Sequence, residues 1–367
     1  MKKVLLILMA ALALGVPVRA ADAPPATSAE GMILVHPASG RVLAEKNAHS
    51  PMLIASTTKL MTALVAAGEA DLDAETEIRP EWTRVEGSSM YLRSGERYTV
   101  RELLQGLLLA SGNDAALALA AATAGDTQAF VDKMNRTGDA LGLEDTHFDN
   151  PHGLDSPTHR SSAADLARIM AEVLKNDALR EILAMPSCTI HGLTYENHNR
   201  LLRSCPGVCA GKTGYTMAAG RCLVTACVRD GLELICVTLS DPSDWADHAA
   251  LYDWACGAYC CLRISTDRPL CELPLIAGRA PSAEVSAAEP LCLCVEKTEE
   301  PVIVCSLPPF AFAPVREGER AGELTVALNG ETAARTALVF TRTVTRNDSP
   351  ASILRESVDR LMGIYAV

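Results

Sequence analysis

The sequence predicts a mixed α/β domain followed by a smaller all-β domain, and three observations lead there. Strand-like runs stand at both ends of about 28–266, and helical runs fill the stretch between them. Beyond Arg268, proline-rich segments with short alternating runs replace helical periodicity. With 367 residues, 49% of them hydrophobic and 21% charged, the chain is long enough for two domains with buried cores.

Taken in chain order, the first element is a leader. Lys2 and Lys3 precede an apolar run from Val4 to Val16, and "VRA" before Ala21 fits a small-x-small cleavage site, so residues 1–20 read as a secretory signal removed after Ala20. The run is too short to span a bilayer comfortably, and no later segment reaches spanning length. The mature chain is therefore expected to be exported, working at the cell wall or the outer face of the cytoplasmic membrane.

"GMILVHPASGRVLAEKN" places two apolar runs around the turn-forming "PASG", a hairpin signature. "ASTTKLMTA" opens a helix in which Leu60, Ala63, Leu64 and Ala67 recur at helical spacing. "RELLQGLLLASGNDAALALAAATAG" is a helical run broken in its middle by "SGND", and "GRCLVTACVRDGLELICVTLSD" reads as two central strands joined at "RDG". The all-β domain is placed at 269–345, with Asn329-Gly330 at the turn of its clearest hairpin. Last, residues 349–367 put Ile353, Leu354, Val358, Leu361, Met362 and Tyr365 on one helical face. That face suits a membrane surface or the protein's own body, two readings the sequence leaves open.

A net charge of −12 and the lack of any basic stripe exclude nucleic acid as a partner. The 13 cysteines contain no C-x-x-C pair: Cys205 and Cys209 are four apart, Cys260 and Cys261 adjacent, Cys292 and Cys294 two apart. Most are read as small buried hydrophobes. No zinc site, other metal or cofactor is expected.

Chemistry-bearing residues fall in three places. Ser56 and Lys59 lie one helical turn apart, so the lysine is positioned to take the serine's proton, provided that burial or a neighbouring cation lowers its pKa. A helix N-terminus there also offers backbone N–H groups to a developing oxyanion. Ser111 and Asn113 flank Gly112, which lets the chain turn between two apolar helices and present a hydroxyl and an amide to a cleft. Lys212, Thr213, Gly214 and Tyr215, within "GKTGYT", combine a cation, a hydroxyl and a permissive glycine beside a strand. Such a set suits a carboxylate at the end of an extended peptide. Each match alone is weak, since a capped helix, a polar loop and a turn explain them separately.

The order S-x-x-K, S-x-N, K-T-G within an exported chain is what makes them informative together. With "NPHGLD" (150–155), "NHNRLL" (197–202) and "GKTGYTMAAGRCLV", the sequence resembles the low-molecular-mass penicillin-binding proteins that are serine-type D-alanyl-D-alanine carboxypeptidases, strongly over 28–266 and in outline beyond. The resemblance implies a penicillin-binding-protein/β-lactamase-like catalytic domain, an antiparallel sheet flanked by helices, with peptidoglycan stem peptides as substrates and β-lactam antibiotics as covalent inhibitors. It implies Ser56 as nucleophile, Lys59 as its proton acceptor and Ser111, supported by Asn113, as relay to the leaving D-Ala. Lys212 and Thr213 would bind the terminal carboxylate, Lys212 would also keep Lys59 neutral, and the N–H groups of Ser56 and Tyr215 would form the oxyanion hole. Under it, His147 and His152 belong to a structural loop rather than a metal site, the sequon at Asn135 has no use, and Cys209 packs. Alternatives remain: a β-lactamase, a penicillin-binding wall sensor or scaffold without turnover, or a transpeptidase or endopeptidase that shares the chemistry and differs in the acyl acceptor or the bond cleaved. "EVLKN" at 172–176 superficially resembles the deacylation element of class A β-lactamases, but its lysine and its helical setting argue against that.

Overall fold

The computed structural model describes residues 4–8, 23–347, 349 and 358. The chain divides into two units, Asp22–Tyr259 and the segment from Cys260 onward. Apart from Val4–Leu8 the expected leader lies outside the described residues, as does the expected C-terminal helix apart from Ser349 and Val358. Among the described residues no helix is long and apolar enough to cross a membrane.

The first unit is built on a five-stranded antiparallel sheet in the order Arg41–Lys46, Gly31–His36, Leu232–Leu239, Gly220–Arg229, Val208–Thr216. Both expected hairpins are there, and pairing of Gly31–His36 with Leu232–Leu239 closes the domain by joining its two ends. "GKTGYT" is not a turn before a strand but the end of the edge strand Val208–Thr216, in register with Gly220–Thr225. This strand has one neighbour, so its outer side is open to a peptide laid alongside it.

Helices α1 (Lys59–Glu69), α2 (Val100–Leu108), α3 (Asn113–Ala124) and α4 (Thr127–Ala140) pack on one another, while α5 (Ala163–Val173), α6 (Asp177–Ala184) and the helix Asp244–Ala258 pack on the sheet. Their starts follow from side-chain caps. Thr99 and Glu102 form a reciprocal capping box on α2, while Asp126, Ser162 and Asn176 cap α4, α5 and α6. α1 and α3 lack such caps, and both begin at the cleft. Leu60, Met61 and Ala63 of α1, with Ala115, Ala116 and Leu119 of α3, lie in one apolar core. This burial, rather than capping, fixes both helices.

The second unit is all-β. Its main sheet runs Val4–Leu8, Val302–Leu307, Arg320–Leu328, Glu331–Phe340, Ser282–Ala287, Cys271–Ile276, Ala311–Phe312, and a further pair joins Tyr259–Ile264 with Leu291–Glu296. Asn329, at φ +52°, and Gly330, at φ +84°, turn the expected hairpin. Val285, Leu324, Val326 and Leu338 are fully buried at its centre.

Candidate active site

Ser56 sits in a tight 3-10 turn, Ala55–Thr58, that leads directly into α1. The turn is strained, because Ala55 is held at φ +45°, a region that alanine avoids. Three contacts hold it. Thr57 Oγ1 donates to the Ile54 carbonyl at 2.6 Å, Thr58 Oγ1 donates to the Ala55 carbonyl at 2.8 Å, and Thr58 Oγ1 meets His159 Nε2 at 2.7 Å. His159 Nδ1 accepts from the Asp149 N–H, so a neutral ring carries its proton on Nε2 and donates it to Thr58. Burial pushes His159 down to about 4, which keeps it in that neutral form.

Two glycines let other segments reach the turn. A Cβ on Gly153, at φ +89°, would stand 2.0 Å from the Ala55 oxygen. One on Gly214 would be 3.0 Å from the Ile54 oxygen and from the Ser56 nitrogen. The "NPHGLD" loop and the "GKTGYT" strand thus close on Ser56 from two directions, and only hydrogen fits at the first contact.

Lys59 is fully buried, and its Nζ lies 2.8 Å from Ser56 Oγ, 2.7 Å from Asn113 Oδ1 and 2.6 Å from the His152 carbonyl oxygen. Desolvation first, then the nearby charge of Lys212, drives its pKa well below the ordinary lysine value, with Asp114 opposing. Ser111, at φ +58° in the α2–α3 connection, is buried and its Oγ lies 3.0 Å from Lys212 Nζ. Lys212 is buried as well and donates to the Thr213 carbonyl at 2.7 Å; desolvation lowers its pKa to about 7. Asn113 uses both ends of its amide, the oxygen towards Lys59 and the nitrogen donating to the Glu86 carbonyl at 2.6 Å.

The structure therefore gathers two hydrogen-bonded groups, Ser56 with Lys59 and Asn113, and Ser111 with Lys212, near enough that the charge of Lys212 acts on Lys59. Beside them opens a cleft of about 600 Å³ lined by Ser56, Ser111, Thr213, Gly214 and Tyr215, the last of these 65% exposed.

Three contributions were not legible in the motifs. Asp114, next to Asn113, is buried and accepts from Ser89 Oγ and from the Met90, Leu92 and Ala115 N–H groups, tying the 88–92 loop to the start of α3. His152 serves through its backbone carbonyl rather than its ring. Arg221 lines the cleft on the strand next to Tyr215 and is held by Asp244 through bonds of 2.8, 2.9 and 3.1 Å, over the Trp245 ring at 5.4 Å. Asp244 is buried and Arg221 is 41% exposed, so the guanidinium is fixed from behind and open in front.

Other motif residues lie elsewhere. Cys209 packs against the core, with its thiol directed at the Ala226 carbonyl and burial raising its pKa. Asn135 of the sequon bridges both backbone polar groups of Phe148, and Glu172 on α5 pairs with Lys175 at 2.6 Å, away from the cleft lining.

The fold agrees with three comparisons. Residues 18–243 match the family model of D-alanyl-D-alanine carboxypeptidases. The D-alanyl-D-alanine carboxypeptidase DacF of Bacillus subtilis is 30% identical over 326 residues, 84% of each chain, and DacB2 of Mycobacterium tuberculosis is 37% identical over 256 residues, 64% of this chain and 87% of that one. Among solved structures, penicillin-binding protein 5 of Haemophilus influenzae superposes with a TM-score of 0.73 at 26% identity, covering 89% of this chain and all of the other. With the family match spanning well over half of its length, the chain belongs to the D-alanyl-D-alanine carboxypeptidases, a family of serine hydrolases.

Proposed function

We propose that Ser56 is the nucleophile that removes the terminal D-Ala from peptidoglycan stem pentapeptides and that neutral Lys59 is its base. The observation that carries this reading is the number of bonds at Lys59. A neutral amine has two N–H donors and one lone pair. Two of its three neighbours, Asn113 Oδ1 and the His152 carbonyl oxygen, can only accept, so they take both N–H groups. The lone pair is left facing the third neighbour, Ser56 Oγ at 2.8 Å, as proton transfer from the hydroxyl requires.

Attack of Ser56 Oγ on the penultimate D-Ala carbonyl gives a tetrahedral oxyanion. The Ser56 and Tyr215 N–H groups stabilise it, at about 3 kcal/mol per donor. Ser111, backed by Lys212, passes a proton to the leaving D-Ala nitrogen, and water then hydrolyses the acyl-enzyme. Asn113 is a positioning residue for Lys59. Lys212 is buried against Ser111, so it supplies potential more than contact to the substrate carboxylate. Thr213 and the outward guanidinium of Arg221 make the direct contacts. β-Lactams acylate the same serine. Residues 349–367 hold the exported enzyme at the membrane surface; deleting them is expected to move it to the soluble fraction, and no shift would remove that assignment.

The test uses a peptide ending in Lys-D-Ala-D-Ala. Release of one D-Ala per peptide, lost in Ser56→Ala and after penicillin treatment, is the expected result. Stable penicillin labelling without D-Ala release would identify a sensor or scaffold, and rapid penicillin turnover would identify a β-lactamase.

A further inference from the structure

We propose that the all-β unit carries two oxidisable dithiol sites, Cys261 with Cys292 and Cys271 with Cys305, and that both close as disulfides in the exported protein. Cys261 and Cys292 lie on the paired strands Tyr259–Ile264 and Leu291–Glu296, 31 residues apart in sequence, with their sulfurs 2.8 Å from one another. Cys271 and Cys305 are joined by a thiol hydrogen bond although three strands separate theirs in the sheet order. Both belong to the same apolar core, where Cys305 is buried and Cys271 packs alongside. In sequence the two pairs interleave, 261 with 292 and 271 with 305, so together they would tie the strand pair and the main sheet into one crossed loop system.

The chemistry of the second pair suits exchange. The bond from Cys271 holds the Cys305 thiol down at about 7, against the opposing effect of burial, while Cys271, the donor, is raised. Either thiol of the pair can begin the exchange as its thiolate, and half-buried Cys271 is the more accessible of the two. The oxidant is a disulfide-bearing oxidoreductase of the exported compartment, or glutathione disulfide in a test tube. One sulfur of the pair attacks one sulfur of that disulfide and expels a thiol. The other sulfur of the pair then attacks the mixed disulfide and expels the second. Two electrons and two protons leave with the reduced oxidant, and one S–S bond is left in the protein. The catalytic unit offers a contrast, since Cys209, Cys222 and Cys227 direct their thiols at the backbone carbonyls of Ala226, Leu53 and Pro206. Burial raises the last two to about 12, which suits inert packing.

The experiment equilibrates the mature protein with a reduced/oxidised glutathione couple, alkylates it after unfolding and maps the peptides. The expected result is four thiols protected and two links, Cys261–Cys292 and Cys271–Cys305. The double variant Cys271→Ser/Cys305→Ala, held oxidised, should melt lower than wild type by roughly 10 °C, with the gap shrinking when both are reduced and D-Ala release unchanged. Alkylation of every cysteine, or links to Cys260 or Cys294 instead, would overturn the proposal. Because the mapping is done on the wild-type chain, a variant that does not fold leaves it decisive.

Discussion

The two units spend burial differently. Among the described residues every buried charged side chain, Lys59, Asp114, Asp165, Lys212, Asp241 and Asp244, lies in Asp22–Tyr259, whereas the β unit buries no polar side chains but Ser286 and Thr336. Taking an ammonium out of water costs several kcal/mol unless it is paired, about the size of a domain's whole net stability. The Nζ atoms of Lys59 and Lys212 bond to neutral oxygens, and a charge on Lys59 would meet the repulsion of Lys212 with Asp114 opposing it less strongly. Stability alone would favour apolar residues there. The contrast teaches that the first unit keeps these lysines for their lowered pKa, while the second is organised around an aliphatic core.

The strongest way to break this comparison is Lys59→Met. Turnover of the D-Ala-D-Ala peptide should fall by about 10³-fold or more, as expected for loss of the base that activates a serine. Melting temperature should hold or rise, because a desolvated amine has been exchanged for an apolar chain of similar length. A large drop in melting temperature would make Lys59 a structural residue first. Lys212→Met sharpens the same point through pH. Removing the neighbouring cation raises the Lys59 pKa, so the acid limb of kcat/KM should move to higher pH. Lys212 itself falls from 10.5 unfolded to about 7 folded, so between those values the unfolded chain binds more protons and stability climbs with pH. Urea melts at pH 7 and pH 9.5 should show that climb in wild type and a smaller one in the variant.

How much of this was legible depends on what each residue answers to. Ser56, Lys59, Ser111, Asn113, Lys212 and Thr213 announce themselves because the three motifs are defined by side-chain types and spacing. The sheet ends were readable because period-two runs around "PASG" and "RDG" leave few alternatives. The strand identity of "GKTGYT" was not, since its two glycines and lysine read locally as a turn and only pairing with Gly220–Thr225 makes it an edge strand. Backbone contributions were equally hidden. Nothing about His152 indicates that its carbonyl would matter, and nothing about Gly153 indicates what it must avoid. Gly153→Ala makes that visible: with a Cβ 2.0 Å from the Ala55 oxygen at φ +89°, it should cost about 2–3 kcal/mol and lower acylation by roughly 10²-fold. A stopped-flow β-lactam acylation rate beside a urea melt separates the two effects.

A weaker test concerns the exposed cation. Arg221→Ala should raise KM for the peptide carboxylate by about 10-fold with a smaller change in kcat, since the residue acts on ground-state and transition-state binding alike. The peptide C-terminal amide should bind wild type and variant equally poorly. If the variant also loses affinity for the amide, Arg221 supports the cleft wall through Asp244 and Trp245 and does not read charge.

The smallest expected effect on turnover comes from the β unit, and it completes the comparison from the other side. Leu338 is fully buried among Val285, Leu324 and Val326, so Leu338→Ala removes three carbons from an apolar core and should cost about 2–5 kcal/mol. If the unit serves stability and placement alone, that loss appears in the melt as an earlier transition, while kcat and KM below the transition stay at wild-type values. Lys59→Met predicts the reverse pattern, activity lost with stability kept. A Leu338→Ala protein that melts early and also turns over slowly would mean that strain in the β core reaches the Ser56 turn, and the division of labour between the two units would have to be abandoned.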